Sequence, residues 1–530
     1  MIKRIVEFAL YQPVFVFLGV VLFVGGGIVA FQALPIEAFP DVSDTQVTVI
    51  TLFPGHAAEE VEKQVTIPIE VALSGVPNAV RLFSHTQFGL SFTILTFNDK
   101  ANDYFARQQV IERLRGVDLP AGVQPDLAPL STAIGEIYRY RLKGDHLDSR
   151  ELRTIQEWTV ERQIKSVPGV ADVVSFGGLI KQYEVQPDLA RMKDYKVTLQ
   201  QLSDALSKGN ANAGGGYVEQ GRQQFLIRGV GLLRSADDID NVVVAERAGT
   251  PVLVRNIAKV SIGSVPRQGI VGQDDADDVV TGIVLMRKGE NPSLVLAALK
   301  DKVEQLNNRI LPRGVKMVSF YDRAWLIGKT LTTVFSNLVE GALLVSLVLF
   351  LFLGNLRAAA IVALVIPLSL LATFLGLTFA SIPANLLSLG AMDFGIIVDG
   401  AVIVVENIFR KLSEAKDNLT LKERLATIMD ATIEVGRPTV FSMMIIIAAH
   451  IPIFTLQRHE GRIFAPMAYS VTSALVGSLI ISMTLVPLLC YLLLRGNLPH
   501  GDNRIVAFAK RMYRPALEWA LKNVASRRWQ

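Results

Sequence analysis

The feature that most constrains this chain is a series of long stretches without a charged residue. Residues 8–36 contain no Asp, Glu, Lys or Arg, and the same holds for 341–356, 358–392, 438–457 and 463–494. A helix needs about 20 such residues to cross roughly 30 Å of hydrocarbon. The sequence therefore predicts a polytopic α-helical membrane protein. It excludes a soluble globular protein, a disordered chain and a nucleic-acid binder.

Six membrane helices are predicted, and they divide the chain into domains. The helices are expected at 12–34, 337–355, 358–380, 386–408, 438–456 and 464–494. The 19 % of residues that are charged are therefore concentrated outside these segments, above all in the long insert between the first two helices. The predicted domains are 1–36, the start and first membrane helix; 37–132 and 133–336, two modules of the insert, the second with a hairpin arm at 209–245; 337–494, membrane helices two to six; and 495–530, a basic amphipathic tail.

The distribution of Lys and Arg predicts the orientation of the helices. With the N-terminus inside, the inner segments carry 17 Lys and Arg, whereas the short outer connections 381–385 and 457–463 carry 2. Positive residues in short connections resist translocation. Both termini and the 409–437 loop are therefore predicted on the cytoplasmic side, and the insert on the opposite side.

The insert contains an internal repeat of mixed α and β elements. A strand, a helix, two strands and a helix at 45–53, 57–74, 80–84, 90–97 and 102–116 recur at 136–142, 149–166, 171–176, 181–186 and 189–208. Strand 279–287, helix 292–310 and strand 316–321 would complete the second unit. This order predicts an α+β insert of ferredoxin-like β-α-β-β-α modules, which in the first instance serve as scaffold.

Three carboxylates lie in one predicted membrane helix, at Asp393, Asp399 and Glu406. Each costs about 2.5–3.5 kcal/mol in mid-membrane, so packing does not explain them. Asp399 and Glu406 are seven residues apart, which places them about 20° from a common face and about 10 Å apart along the axis. Asp393 lies about 120° off that face. We expect Asp399 and Glu406 to share a polar crevice.

The pattern favours a proton or cation relay through these three residues. Burial raises the pKa of a carboxyl group, which suits proton exchange near neutral pH. The alternative places Asp393 and Glu406 at the two membrane surfaces, with Arg410 and Lys411 beside Glu406, and leaves Asp399 as one structural acid. Gly395 and Gly400 are expected to permit close helix approach.

Other candidate residues carry weaker signals. His450 could join the relay, but a hydrogen bond near the end of its helix is the simpler interpretation. Met443, Met444, Met467 and Met483 could be soft metal ligands, although membrane methionines more often pack. The Asp274–Asp278 cluster is expected to be a solvated loop. No metal site is predicted, and an intramembrane aspartyl protease is excluded because two aspartates on one helix cannot share a proton at about 3 Å.

Several motifs resemble one transporter family. They are LPIEAFPDV at 34–42, FARQ at 105–108, ERL at 112–114, GEIY at 135–138, MRKGEN at 286–291, PIFTLQ at 452–457 and EGR at 460–462, together with the acidic helix. The chain resembles the heavy-metal efflux branch of the resistance-nodulation-division (RND) permeases, of the cobalt/zinc/cadmium type. The most specific element is Asp393-Phe394-Gly395 with Asp399-Gly400 and Glu406-Asn407.

The resemblance implies a secondary active transporter and not an enzyme. It would export divalent cations such as Zn, Co or Cd across the bacterial inner membrane by antiport against H⁺, without a resident cofactor. The family assembles as a homotrimer with a periplasmic adaptor and an outer-membrane channel, which would make 37–132 and 133–336 periplasmic porter modules. The copper/silver type has an apolar residue in place of Asp393 and methionines at the positions of Ile397 and Val404, so harder cations are favoured here.

The chain differs from that family in length, because such permeases are about twice as long. We expect an N-terminal half that needs a second RND half, as a fragment, a split-gene product or an inactive remnant. Two further possibilities stay open, a non-transporting assembly or regulatory subunit and RND drug efflux.

Overall fold

The computed structural model describes residues 2–247, 249–267, 269–390, 392, 394–415, 420–494 and 504–526. The chain divides into two units. The first comprises residues 1–137, 286–297 and 322–530, and the second comprises 138–285 and 298–321. The first unit therefore contains all of the predicted membrane helices and the first module of the insert.

Six long apolar helices of the described residues overlap the predicted segments. They are α1 (Pro13–Ala33), α2 (Arg323–Leu353), α3 (Leu356–Phe379), α4 (Phe394–Glu414), α5 (Leu421–Ala449) and α6 (Arg458–Leu493). Each lies in a segment long and apolar enough to cross a membrane. Three short helices lie beside them at Ile2–Tyr11, Leu386–Gly390 and Ile451–Thr455, and a further long helix spans Arg504–Ser526.

Local capping residues fix where several of these helices begin and end. The Asp322 carboxylate accepts a hydrogen bond from the backbone N–H of Ala324 at 2.8 Å at the start of α2. Gly354 ends that helix with φ of 64°, a left-handed conformation that glycine adopts without strain. Thr420 and Glu423 form a capping box at the start of α5. This cap explains why α5 begins well before the predicted residue 438: the amphipathic stretch before Pro438 continues the same helix.

Helix α3 is the centre of the membrane bundle, and small residues bring its neighbours close. A Cβ atom on Gly477 of α6 would lie 2.3 Å from the Cβ of Ala372, and one on Gly376 would lie 2.0 Å from the Oγ of Ser473. On the other side, a Cβ on Gly27 of α1 would lie 2.8 Å from the Cβ of Leu371. Apolar helices in lipid associate through such close van der Waals packing.

The first module is a four-stranded antiparallel sheet with helices packed on it. The strand order is Ala79–Gln87, Leu90–Phe97, Gln46–Leu52 and Pro125–Leu127. The helices are the continuous run Ala58–Val61, Glu62–Thr66 and Ile67–Leu73, and Asp103–Leu114. Val49 and Leu95 of the sheet share a buried core with Ile69 and Val110 of the helices.

The second unit is built on another four-stranded sheet. Its strand order is Val315–Asp322, Glu136–Gly144, Val280–Met286 and Val170–Phe176. The helical elements nearby in the chain are Ser149–Ile155, Gln156–Val160, Glu161–Lys165, Pro292–Gln305 and Leu306–Ile310. Tyr140 is fully buried here, and its hydroxyl donates to the Oε1 of Gln156 at 3.1 Å.

One predicted strand takes a different partner from the one that the repeat implies. Strand Lys181–Pro187 pairs antiparallel with Ala258–Ser264 in a separate two-stranded sheet, so Val280–Met286 supplies the sheet position next to Val170–Phe176. The prediction that 181–186 belongs to the main sheet is wrong. The physical reason is that strand pairing depends on a distant segment, which local alternation does not reveal.

The arm predicted at 209–245 contains a hairpin and then returns to the second unit. Strands Ala213–Gln220 and Gln223–Gly229 pair antiparallel, and every residue of both is exposed. Strands Val243–Arg247 and Thr250–Leu253 form another pair. Helices Leu189–Asp194, Leu199–Gly209, Ala236–Asp240 and Val254–Ile257 lie in the same part of the chain.

Arg462, at the start of α6, ties the membrane bundle to the base of the first module. Its guanidinium donates to the carbonyl oxygens of Val42 and Ser43 at 3.1 and 2.5 Å, and to the carboxylates of Asp44 and Asp99 at 3.1 and 2.5 Å. The backbone N–H of Arg458 donates to Asp99 as well, at 3.2 Å. Four acceptors around one guanidinium make a geometrically specific junction.

We predict that Arg462→Ala weakens this junction. The substitution removes all four side-chain contacts and leaves two carboxylates without their cation, which we expect to cost about 1–2 kcal/mol. Thermal unfolding of the detergent-solubilised protein measures the change. Arg458→Ala is the matched control, because its contact with Asp99 uses the backbone; equal unfolding temperatures for the two variants would contradict the assignment.

Candidate functional site

Helix α4 presents the carboxylates of Asp399 and Glu406 on one exposed face. Asp399 and Glu406 are both exposed, whereas Val398, Ala401 and Val405 are buried against the bundle. The spacing of seven residues therefore places the two carboxylates on the same side of the helix, as an α-helical period requires. Asp393 lies outside the described residues, so its placement stays a prediction.

The predicted burial of these carboxylates is wrong for this chain. Both side chains are exposed, and Glu406 lies at a cavity that α4 shares with α2. Burial was expected because a mid-membrane position removes a carboxylate from water. In the structure only part of the α4 surface is enclosed by the other described helices, and the acidic face is the part left open.

Contacts on the opposite side of α4 fix which face is open. A Cβ atom on Gly400 would lie 3.1 Å from the Sδ of Met443 and 3.3 Å from the Cγ2 of Thr439, so α4 and α5 touch closely at this glycine. The hydroxyl of Ser478 donates to the carbonyl oxygen of Ile397 and joins α4 to α6. Gly395, the other predicted packing glycine, is exposed.

A polar network holds the inner end of α4 against α5. The amide nitrogen of buried Asn407 donates to the carbonyl oxygen of Ala431 at 2.8 Å. Lys411 pairs with Glu434 at 2.5 Å, and Arg410 donates to Asn407 at 2.7 Å. Sequence reasoning missed Glu434, because it assigned 409–437 to a loop. The capping box at Thr420 and Glu423 was the available signal that a helix begins there.

This network bears on the alternative in which Glu406 lies at the membrane surface beside Arg410 and Lys411. Arg410 and Lys411, the two cations expected to neutralise it, contact Asn407 and Glu434. Glu406 lines a cavity of about 630 Å³ between α2, α4 and the helix Arg504–Ser526. Polar residues of the cavity are Glu406, Arg410, Ser413, Glu414 and Lys510. Glu406 is therefore free to face an aqueous or protein partner.

The remaining sequence candidates lie away from this face. The Nδ1 of His450 is 2.9 Å from the carbonyl oxygen of Ile446, one turn earlier. Met443 is buried beside Gly400, whereas Met444 is exposed. Among the described residues, no group of three or more His, Cys, Asp or Glu side chains is arranged to hold a metal ion.

The acidic loop of the second unit is held by ordinary structural contacts. Asp278 pairs with Arg267 at 2.6 Å and accepts the backbone N–H of Gly178 at 3.2 Å. Partial burial acts to raise the pKa of this carboxyl, but hydrogen bonds from Arg267 and Ser149 outweigh it and lower the pKa. Asp278 is thus a structural partner of Arg267.

Comparison with known proteins identifies the family. Residues 5–527 match the profile of the AcrB/AcrD/AcrF family. The chain is 42 % identical over 540 aligned residues to the cation efflux system protein CzcA of Alcaligenes sp. (strain CT14), covering 99 % of this chain and 51 % of that protein. The chain belongs to the AcrB/AcrD/AcrF family. Within this group of RND permeases its relatives are heavy-metal efflux proteins.

Two further comparisons of this chain lead to the same family. The chain is 37 % identical to the cation efflux system protein CusA of Escherichia coli (strain K12), over 91 % of the chain and 47 % of CusA. The crystal structure of a heavy metal efflux pump (crystal form II) superposes on this chain with a TM-score of 0.83. The two sequences are 45 % identical, and the match covers 91 % of this chain and 48 % of the pump. The chain therefore spans about half the length of the relatives it matches.

We predict that Gly400→Val disturbs the orientation of the acidic face. The added methyl groups meet Met443 and Thr439, and overpacking of this kind costs about 1–3 kcal/mol. The unfolding temperature in detergent should fall. Gly328→Val on α2 is the control, since a Cβ there meets nothing within 4 Å. A Gly400→Val protein as stable as this control would show that α4 and α5 are not in close contact.

Proposed function

We propose that this chain is the N-terminal half of a proton-driven RND permease that exports divalent heavy-metal cations across the bacterial inner membrane. The observation that carries the proposal is the pair of carboxylates, Asp399 and Glu406, on one exposed face of a helix whose residues 394–405 are otherwise without charge. An ionisable residue in such a helix marks an ion or proton path. The heavy-metal efflux relatives supply the class of cargo.

The open face is explained if a second half covers it. A carboxylate that faced lipid would cost several kcal/mol, so the face must meet protein or water. The relatives are about twice as long as this chain, which leaves polypeptide available for that contact. In this arrangement Asp399 and Glu406 lie between the two halves, where Asp399 takes up and releases the coupling proton.

The fold supports the topology that such a permease needs. The six apolar helices would span the membrane with the N-terminus in the cytoplasm. Arg462 contacts Asp44 and Asp99, and Arg458 contacts Asp99, so the 457–463 connection and the first module lie at one end of the bundle. Arg357 and Arg424 contact the backbone of Leu493 and Leu494 at the other end. The first sheet has the strand order of a ferredoxin-like module, which supports porter modules in the periplasm.

The proposed partners follow from the family and from the exposed arm. The permease would act as a homotrimer with a periplasmic adaptor and an outer-membrane channel. The hairpin Ala213–Gly229 exposes Tyr217, Phe225 and Leu226, a set of apolar side chains that suits docking into a neighbouring protomer.

The first test concerns the relay. Co-expressed with a matching second half, the chain should confer zinc or cobalt resistance, and Asp399→Asn should reduce metal export to the level of membranes without the protein. The amide keeps the shape of the side chain but cannot exchange a proton. Glu414→Gln, on the last turn of the same helix, is the control and should export normally. Undiminished export by Asp399→Asn at equal membrane level would remove the relay assignment.

The second test concerns the choice of metal. Asp393 supplies a hard oxygen ligand where the copper/silver type has an apolar residue, and Ile397 and Val404 replace methionines. We therefore propose Zn²⁺, Co²⁺ or Cd²⁺ as cargo. Asp393→Ala should shift the ratio of zinc to copper resistance towards copper. An unchanged ratio would separate Asp393 from metal selection.

A further inference from the structure

A cavity of about 610 Å³ lies in the first unit where the first module meets the bundle. It is lined by residues of three motifs that the relay does not use, LPIEAFPDV, MRKGEN and the EGR segment. These segments are distant in the sequence, and Arg462 of the EGR segment contacts the carbonyl oxygens of Val42, in the first motif, and of Ser43, next to it. Three motifs that converge on one cavity point to a common task.

Glu37 occupies an unusual position in this cavity. It lies on a two-residue strand, Ile36–Glu37, that pairs parallel with Ala384–Asn385, and Glu37 is in register with Asn385. Among the described residues, the Oε2 of Glu37 is buried and has no hydrogen-bond partner. A buried carboxylate oxygen without a partner is costly when it is ionised.

Asn385 is the second unpartnered group in the cavity. It is 1 % exposed, and its Oδ1 accepts the backbone N–H of Ser388 at 2.8 Å, which fixes the amide so that Nδ2 is the atom left over. That Nδ2 is buried and has no partner within the described part of the chain. The Oε2 of Glu37 and the Nδ2 of Asn385 are buried polar atoms of residues that line one cavity, and ordered water is the usual partner of such groups.

The other carboxylates of the cavity and two of its cations, Lys288 and Arg462, already have partners. The carboxylate of Asp41 accepts the backbone N–H of Ser43 and the hydroxyl of Thr132, both at 2.9 Å. Asp99 binds Arg462, and Lys288 binds Asp103 at 3.0 Å. Arg458 completes the charged lining. Of the described carboxylates that line the cavity, Glu37 is the one without a cation or hydrogen-bond donor.

The charges that face Glu37 come from two neighbouring segments. Burial is the largest influence and raises the pKa of Glu37 to about 7, Arg323 at the start of α2 acts to lower it, and Asp41 acts to raise it. Arg323 is 4 % exposed and donates to the carbonyl oxygen of Ile134, so it does not close an ion pair with Glu37. Small changes around this carboxyl can therefore change its protonation near neutral pH.

The strand opposite Glu37 leads directly into the acidic helix. Asn385 is followed by the short helix Leu386–Gly390 and then by α4, which carries Asp399 and Glu406. Buried Met392, between them, lies 3.5 Å from the hydroxyl of Thr373 on α3. Glu37 therefore lies on the strand paired with the segment that leads into the relay helix.

We propose that Glu37 is the proton-loading group at the outer end of this membrane domain. A proton from the outer cavity forms an O–H bond on the Glu37 carboxylate. That bond breaks when the proton passes inward, through cavity water, towards the carboxylates of α4. No electrons are transferred. This role rests on the proposed proton-driven function and adds the site at which the coupling proton enters.

Infrared difference spectroscopy of the solubilised chain tests the protonation directly. The C=O stretch of a protonated carboxylic acid should disappear with a midpoint near pH 7 as the pH rises from about 5 to about 9. The band should be absent in Glu37→Gln and present in Glu62→Gln, which alters an exposed glutamate of the first module. Absence of a Glu37-dependent band over this range would overturn the proposal.

Transport measurements separate this proposal from the proposed function. In vesicles with both halves present, Glu37→Gln should lower proton-driven metal export by about tenfold or more and flatten its pH profile. Glu37→Asp, which still titrates, should keep export with a shifted profile and guards against a folding defect. Normal export and pH profile in Glu37→Gln would overturn the proton-loading role, even if Asp399→Asn is inactive. An active Asp399→Asn would instead overturn the proposed function.

Discussion

Close contact between helices at small residues is the constraint on which this structure depends. Lipid offers no hydrophobic gain for bringing two apolar helices together, so a bundle must form through van der Waals contact and a few hydrogen bonds. Gly376, Gly477 and Gly27 let α3 touch α6 and α1 at distances that any side chain would prevent. Gly400 allows a tight but less extreme contact between α4 and α5. These contacts help to set the rotation of α4, the helix that carries the acids.

The function follows from that rotation. Because Gly400 and Asn407 turn one side of α4 towards α5, Asp399 and Glu406 are left on the other side, away from the bundle. The two acids therefore lie on the surface of this chain and would be buried only in a larger assembly. Their chemistry depends on what covers them, which agrees with relatives about twice as long.

Local sequence information predicted the helices well and the long-range contacts poorly. Helix α3 was expected at 358–380 and spans Leu356–Phe379, because a charge-free run is a local property. The pairing of Lys181–Pro187 with Ala258–Ser264, and the open side of Asp399, depend on distant segments and were not predictable in this way. The cavity at Glu37 joins motifs that the sequence showed only as separate matches. A buried glutamate in a two-residue strand has no periodicity that would reveal it.

Proton movement that accompanies metal movement is the most direct measure of the central claim. Everted membrane vesicles that contain both halves can be given an acidic interior and a fluorescent pH indicator. Addition of zinc or cobalt outside should raise the interior pH as the metal enters, and a protonophore should abolish both changes. Metal accumulation that leaves the proton gradient unaltered and resists the protonophore would contradict proton-coupled export by this protein.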